Sequence, residues 1–187
     1  QLAQSVEQSL KRIGRNIPVI FLHNPRLSER EYDSIVQLMN RLQAEGKIAH
    51  KGISLAKGVN YPKEVLQQFE VIQDDANLLS MDSIVRPRPE GVRFMARCPL
   101  ASGILGGRIN RKTVFEKGDH REGWLKGERL DSLMKRVEKI QSLSEQPVPC
   151  IARKFLLQNA KIDKVIFGVR RPQHVQDLTE DFKGEPL

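Results

Sequence analysis

The chain has 187 residues, 39% of them hydrophobic, enough for one globular domain spanning 1–187 with its own core. No stretch approaches the roughly eighteen uncharged apolar residues of a transmembrane helix, and residues 1–7 lack the basic-then-apolar order of a secretory signal. A net charge of +8 raises a polyanionic partner, but the basic residues are scattered and only 5% of the chain is aromatic, which argues against nucleic acid.

Leu2, Val6, Leu10 and Ile13 recur at helical spacing before Gly14. Pro18–Leu22 is a short continuous apolar run, the pattern of a strand buried on both faces, and it ends in His23-Asn24-Pro25. Ser28 and Glu31 form a capping box for a helix with Ile35, Leu38, Met39 and Leu42 on one face, closed by Gly46. Ile48–Ser54 is the next strand. Pro62 opens a short helix through Val65, Leu66 and Phe69, and a strand follows at Glu70–Gln73.

A proline-broken stretch, Arg86–Pro89, leads to a strand at Val92–Arg97, and a Gly- and Lys-rich loop then runs from Pro99 to about Gly127. Leu130, Leu133, Met134, Val137 and Ile140 mark a helix. Pro149 suits the first turn of another, carrying Ile151, Phe155 and Leu156. The last strand is expected at Lys164–Gly168, with a helix from near Pro172.

Five apolar strands alternating with helices describe a parallel α/β sheet. A doubly wound sheet and a barrel both fit. No Gly-x-Gly-x-x-Gly turn follows a strand, which weakens the dinucleotide-binding doubly wound option. A closed (β/α)8 barrel needs eight units and about 250 residues, so these five would form an incomplete TIM-type barrel. The two cysteines, Cys98 and Cys150, are too few for a disulfide framework and lack metal-ligand spacing; a reducing cytoplasm is the expected setting. His50 and His120 have no partner at metal-like spacing.

Six segments in order carry a more specific likeness. They are Ser9–Ile13, Leu22–Pro25, Gly46–Ser54, Gln73 with Asn77–Leu79, Pro99–Gly103 and Gly168–Pro172. They resemble the S-L-k-r-L, L-H-x-P, G-K-I-r-x-x-G-v-S-N, Q-x-x-x-N-l-L, P-L-a-x-G and G-x-r-s-P segments of the aldo-keto reductases, from just before the fourth barrel strand to just after the eighth. The resemblance implies NADP(H)-dependent reduction of an aldehyde or ketone. It also implies a tetrad of Asp, Tyr, Lys and His, of which only His23 has a counterpart here. The first three units are therefore expected to be absent or supplied elsewhere, leaving the chain inactive alone.

The same resemblance assigns further positions. Ser54 and Gln73 match residues that hold the nicotinamide carboxamide, although the family's adjoining Asn is Leu55. Arg97 stands where an aromatic usually stacks on the nicotinamide. Pro99, Leu100, Ser102, Arg108 and Arg121 match pyrophosphate- or adenosine-phosphate-contacting positions. Gly168, Arg170 and Arg171 precede a helix N-terminus, where free N–H groups and fixed positive charge suit a phosphate. Asp177 keeps an acidic position, while His174 and Leu178 depart from the family's Gln and Asn. The alternative is a non-catalytic descendant that binds a nucleotide or a protein. A five-stranded cut of a barrel leaves two open edges, so self-association or a missing N-terminal segment is expected to cover them.

Overall fold

The computed structural model describes residues 2–183. The strands are β1 (Ile17–His23), β2 (Ile48–Ser54), β3 (Val71–Asp75), β4 (Arg93–Arg97) and β5 (Lys164–Val165). The helices are α1 (Leu2–Ile13), α2 (Glu29–Ala44), α3 (Lys63–Leu66), α4 (Asp82–Val85), α5 (Gly127–Gln141), α6 (Val148–Leu157) and α7 (Pro172–Lys183). Hydrogen-bonded neighbours follow chain order, β1-β2-β3-β4-β5, in one parallel sheet, as in part of a (β/α)8 barrel. By contacts the chain divides into two compact units, Gln1–Asp74 with Pro87–Met95, and Asp75–Arg86 with Ala96–Leu187. No helix among the described residues is long and apolar enough to cross a membrane.

In the first unit α2 begins where the sequence predicts. Glu31 folds back so that its carboxylate accepts from the Ser28 backbone N–H at 2.8 Å and the Ser28 hydroxyl at 2.7 Å. Gly46 then takes φ +70°, a conformation that glycine adopts without a Cβ penalty, and the chain turns into β2. In-register pairing joins Val19 to His50, Phe21 to Gly52 and His23 to Ser54, and likewise Gly52 to Val71 and Ser54 to Gln73. Because side chains alternate along a strand, these residues share one face. The other face carries Ile53, Ile72 and Phe94, all nearly inaccessible to water. Burying each such side chain contributes about 1.5–3 kcal/mol.

At the N-terminal ends of these strands lies a polar junction. Glu70 accepts from Gln43 Nε2 at 3.0 Å, from the Lys51 backbone N–H at 2.9 Å and from His50 Nδ1 at 3.2 Å. Burial pushes the Glu70 carboxyl up, but these donors outweigh it and hold it below the usual carboxylate range. Arg93 donates to His50 Nε2 at 3.0 Å. A guanidinium only donates, so Nε2 is the acceptor and the proton sits on Nδ1.

In the second unit, the turn after β4 and helices α5 and α6 enclose a core that includes Leu105, Leu130, Met134, Val148 and Ala152. Pro149 lies in the first turn of α6 as the sequence predicts.

Four expectations are corrected. The strand expected at Lys164–Gly168 pairs only over Lys164–Val165, with one further bond from the Ile166 N–H to Ala96 O at 2.8 Å. As last in the sheet order it has a partner on one side, and Ile166 and Val169 remain exposed. β1 is not buried on both faces: of its seven residues only Ile17 is buried, since β1 is likewise terminal. The helix after Pro62 stops at Leu66, short of Phe69. The loop after Pro99 is not structureless, because Ala101–Gly106 winds into a 3-10 turn.

Candidate functional site

Three of the singled-out residues, His23, Ser54 and Gln73, occupy one row of the sheet, at or near the C-terminal ends of three adjacent parallel strands. In open and closed α/β sheets alike, ligands are taken up at this end of the strands. Ser54 is fully buried, and its hydroxyl donates to Gln73 Oε1 at 2.9 Å. That bond orients the Gln73 amide, whose Nε2 has the Met95 thioether sulfur as acceptor at 3.5 Å. Sulfur is a weak acceptor. A carboxamide oxygen would serve the Gln73 donor better, so this pair fits a nicotinamide carboxamide.

His23 is exposed, and its Nε2 lies 3.2 Å from Asn24 Nδ2. An amide nitrogen donates, so Nε2 accepts and Nδ1–H is left as the ring's donor. Asn24 takes φ +50°, and its backbone N–H bonds Ser54 O at 2.8 Å, which carries the β1–β2 ladder one residue past His23. Leu55, where the resembled family has an Asn, is buried at 4% exposure and offers no polar group.

In the second unit Arg97 is mostly buried, and its Nε donates to Asp75 Oδ1 at 2.8 Å. Arg97, at the position where the resembled family usually has an aromatic, thus has a carboxylate partner that compensates its charge. Beyond it the chain coils tightly, with Cys98, Ala101 and Ser102 at φ of 54°, 48° and 58°. Non-glycine residues hold such angles only where surrounding contacts impose them. Pro99 is buried and Leu100 half-buried beneath this turn.

One contact that supports the turn comes from Arg121. Its Nη1 donates to Ser102 O at 3.2 Å, its Nε and Nη2 grip the Asp119 carboxylate at 2.9 and 2.6 Å, and it lies over the Phe115 ring at 4.6 Å. The guanidinium holds the Asp119 carboxyl far below the usual range, and Asp119 raises Arg121 in turn. Arg108 and Arg121 line one open groove with Ile109, Thr113, Phe115 and Asp119. Arg121 therefore meets the groove as half of an ion pair, a role its position in the sequence did not disclose.

Gly168, Arg170 and Arg171 are exposed ahead of α7. The Arg170 N–H donates to His174 Nδ1 at 3.3 Å and the His174 N–H to Arg171 O at 3.0 Å, so His174 caps the turn. Asp177 accepts from Gln173 Nε2 at 3.0 Å along the same helix. The residues missed from sequence are Asp75, Asp119 and His174 as partners; only Asp119, two residues from Arg121, left a local trace.

Solved structures share the fold of this chain. The glycerol dehydrogenase of Gluconobacter oxydans superposes with a TM-score of 0.80 at 23% identity, covering 100% of this chain and 59% of that one. An aldo-keto reductase of Bacillus halodurans, in its holo form, gives a TM-score of 0.68 at 22% identity, covering 98% and 62%. Its apo form gives 0.66 at 22%, covering 99% and 63%. The chain thus spans about three fifths of the length of these solved structures. No curated protein sequence matches it. The sequence pattern of the aldo/keto reductase family matches residues 1–186, and the chain belongs to that family.

Proposed function

We propose that this chain forms the dinucleotide-holding part of an NADP(H)-dependent oxidoreductase that reduces an aldehyde or ketone. The observation that carries the reading is the row His23, Ser54, Gln73, with His23 and Ser54 ending β1 and β2 and Gln73 two residues before the end of β3. Ser54 and Gln73 would hold the carboxamide. Within the second unit, taken by itself, the family likeness gives Arg108, Arg121, Gly168, Arg170, Arg171 and Asp177 positions toward the cofactor's phosphate end. When bound, NADP(H) supplies the hydride. His23 presents an imidazole N–H to polarise the carbonyl oxygen and fix its orientation. Of the family's tetrad only His23 has a counterpart in this sequence, so turnover is not expected of these residues by themselves.

The covering of its edges follows from the same reading. β1 and β5 end the sheet order, and Val19, Phe21 and Val165 are only half-buried. Further barrel strands packed on these edges would bury them. Cys98 and Cys150 are thiols rather than halves of a disulfide, which suits a reducing cytoplasm.

A second reading, a family member that binds a nucleotide or protein without catalysis, is favoured by buried Leu55 and by the engagement of Arg121 with Asp119. Titration with NADPH, followed by nicotinamide fluorescence, tests the first reading. Saturable binding without turnover of an aldehyde is expected from the isolated chain, and turnover once the remaining strands are supplied. No binding at tens of micromolar would discard the dinucleotide role. Binding with no turnover in the completed barrel would favour the second reading.

A further inference from the structure

Among the described side chains, a charged pair joins helix α7 to α6. Its inward stripe is His174, Asp177, Leu178 and Asp181, and Leu178 is the one apolar member among the described side chains. Near the C-terminal end of the helix, Asp181 pairs with Arg153 of α6, and the two side chains are only 10% and 13% exposed. Taking both charges out of water is costly, and attraction repays that cost only where geometry is good. Such a pair fixes an orientation better than it adds net stability. Asp181 also faces the Cys150 thiol, which burial and then this carboxylate hold in the protonated form. The nearby Lys154 ammonium donates to Gln146 Oε1 at 3.1 Å.

At the opposite end, the turn Gly168–Arg171 bonds to the first turn of α7 through His174. A twelve-residue helix is a rod about 18 Å long. A change of tilt at Asp181 is therefore carried to the turn. We propose that Asp181 is a positioning residue: by pairing with Arg153 it sets the tilt of α7 and so places the arginine-bearing turn for an anionic ligand. The proposal rests on the dinucleotide reading above and extends it to residues that touch no ligand.

The test uses the full chain and the isosteric variant Asp181→Asn. Amide exchange should accelerate roughly tenfold across α7 while α2 is unchanged. The dissociation constant for adenosine 2′,5′-bisphosphate should rise about tenfold, as expected for a lost coupling between distant groups, with that for nicotinamide mononucleotide unmoved. Asp181→Glu should restore both. Unchanged exchange together with unchanged bisphosphate affinity overturns the proposal, as does equal weakening of both probes. If Asp181→Asn does not fold, Arg153→Lys, which keeps the charge but loses the planar fork, should show an intermediate acceleration; wild-type protection of α7 there overturns the latch. If the wild-type chain binds neither NADPH nor the bisphosphate, the dinucleotide reading fails, and the exchange data still decide whether the latch exists.

Discussion

The ring of Phe21 lies where a side chain on Gly52 would have to go: a Cβ built on Gly52 meets Cδ1 and Cε1 of Phe21 at 2.6 Å. The two are paired in register on β1 and β2, two residues before His23 and Ser54. A glycine here is thus a matter of space. It lets an aromatic from the neighbouring strand close over the sheet directly beneath the row that ends in His23. Gly52→Ala should cost about 1–3 kcal/mol through overpacking. Phe21→Leu added to it should recover most of that loss, measured by urea unfolding as a double-mutant cycle. Additive effects of the two changes would contradict this packing.

Ser54→Ala removes the hydroxyl that holds Gln73 Oε1 at 2.9 Å. A buried acceptor left without its donor costs about 1–3 kcal/mol. The Gln73 amide also loses its fixed plane, so NADPH affinity should fall along with stability. Ser54→Thr, which keeps the hydroxyl, should lose less of both. Calorimetry and fluorescence titration on the same samples check the pair.

Arg97 is compensated by Asp75 across 22 residues of sequence. If Arg97 lies against a nicotinamide, Asp75→Asn should weaken NADP+ more than NADPH, because only the oxidised ring is cationic and it would meet a guanidinium that has lost the Asp75 charge. Equal effects on the two forms would separate Arg97 from the ring. Equilibrium titration with each form measures the difference.

Trp124 is the chain's one tryptophan, and it packs in the cluster that includes Ile109 and Phe115. Its emission therefore reports the loop that Arg121 pins to Ser102. Arg121→Ala should shift that emission to the red and speed exchange over 108–121. The pH dependence follows from Asp119, whose folded value is depressed below the ordinary 3.8. A depressed carboxylate stabilises the fold fully above its unfolded value, and that contribution disappears as pH falls through the folded one. Trp124 emission should thus be level from neutral pH down to about 5 and move only below about 4. In Asp119→Asn the loop should already be loosened at neutral pH and lack this acid transition.

Local pattern carried the sequence a long way. The capping box of Ser28 and Glu31, the glycine stop at Gly46, the strand Ile48–Ser54 and the proline start of α6 stand as the residues announce them, because each depends on groups within a few positions of one another. The order of strands and helices and the six family-like segments could be read for the same reason. Of the row His23, Ser54 and Gln73, His23 and Ser54 end their strands as the apolar runs before them predict, whereas the strand expected to stop at Gln73 runs on to Asp75.

Tertiary structure decided the partners. Arg97 meets Asp75 over 22 residues, Arg121 reaches Ser102 over 19, and Arg153 finds Asp181 over 28. No local pattern encodes such distances. Charged side chains look alike in sequence whether they are solvated or locked, and only the packing of strands and helices brings opposite charges within reach. The same holds for β5, an apolar run whose ladder stops after Val165 because a strand pairs only as far as a neighbour lies beside it.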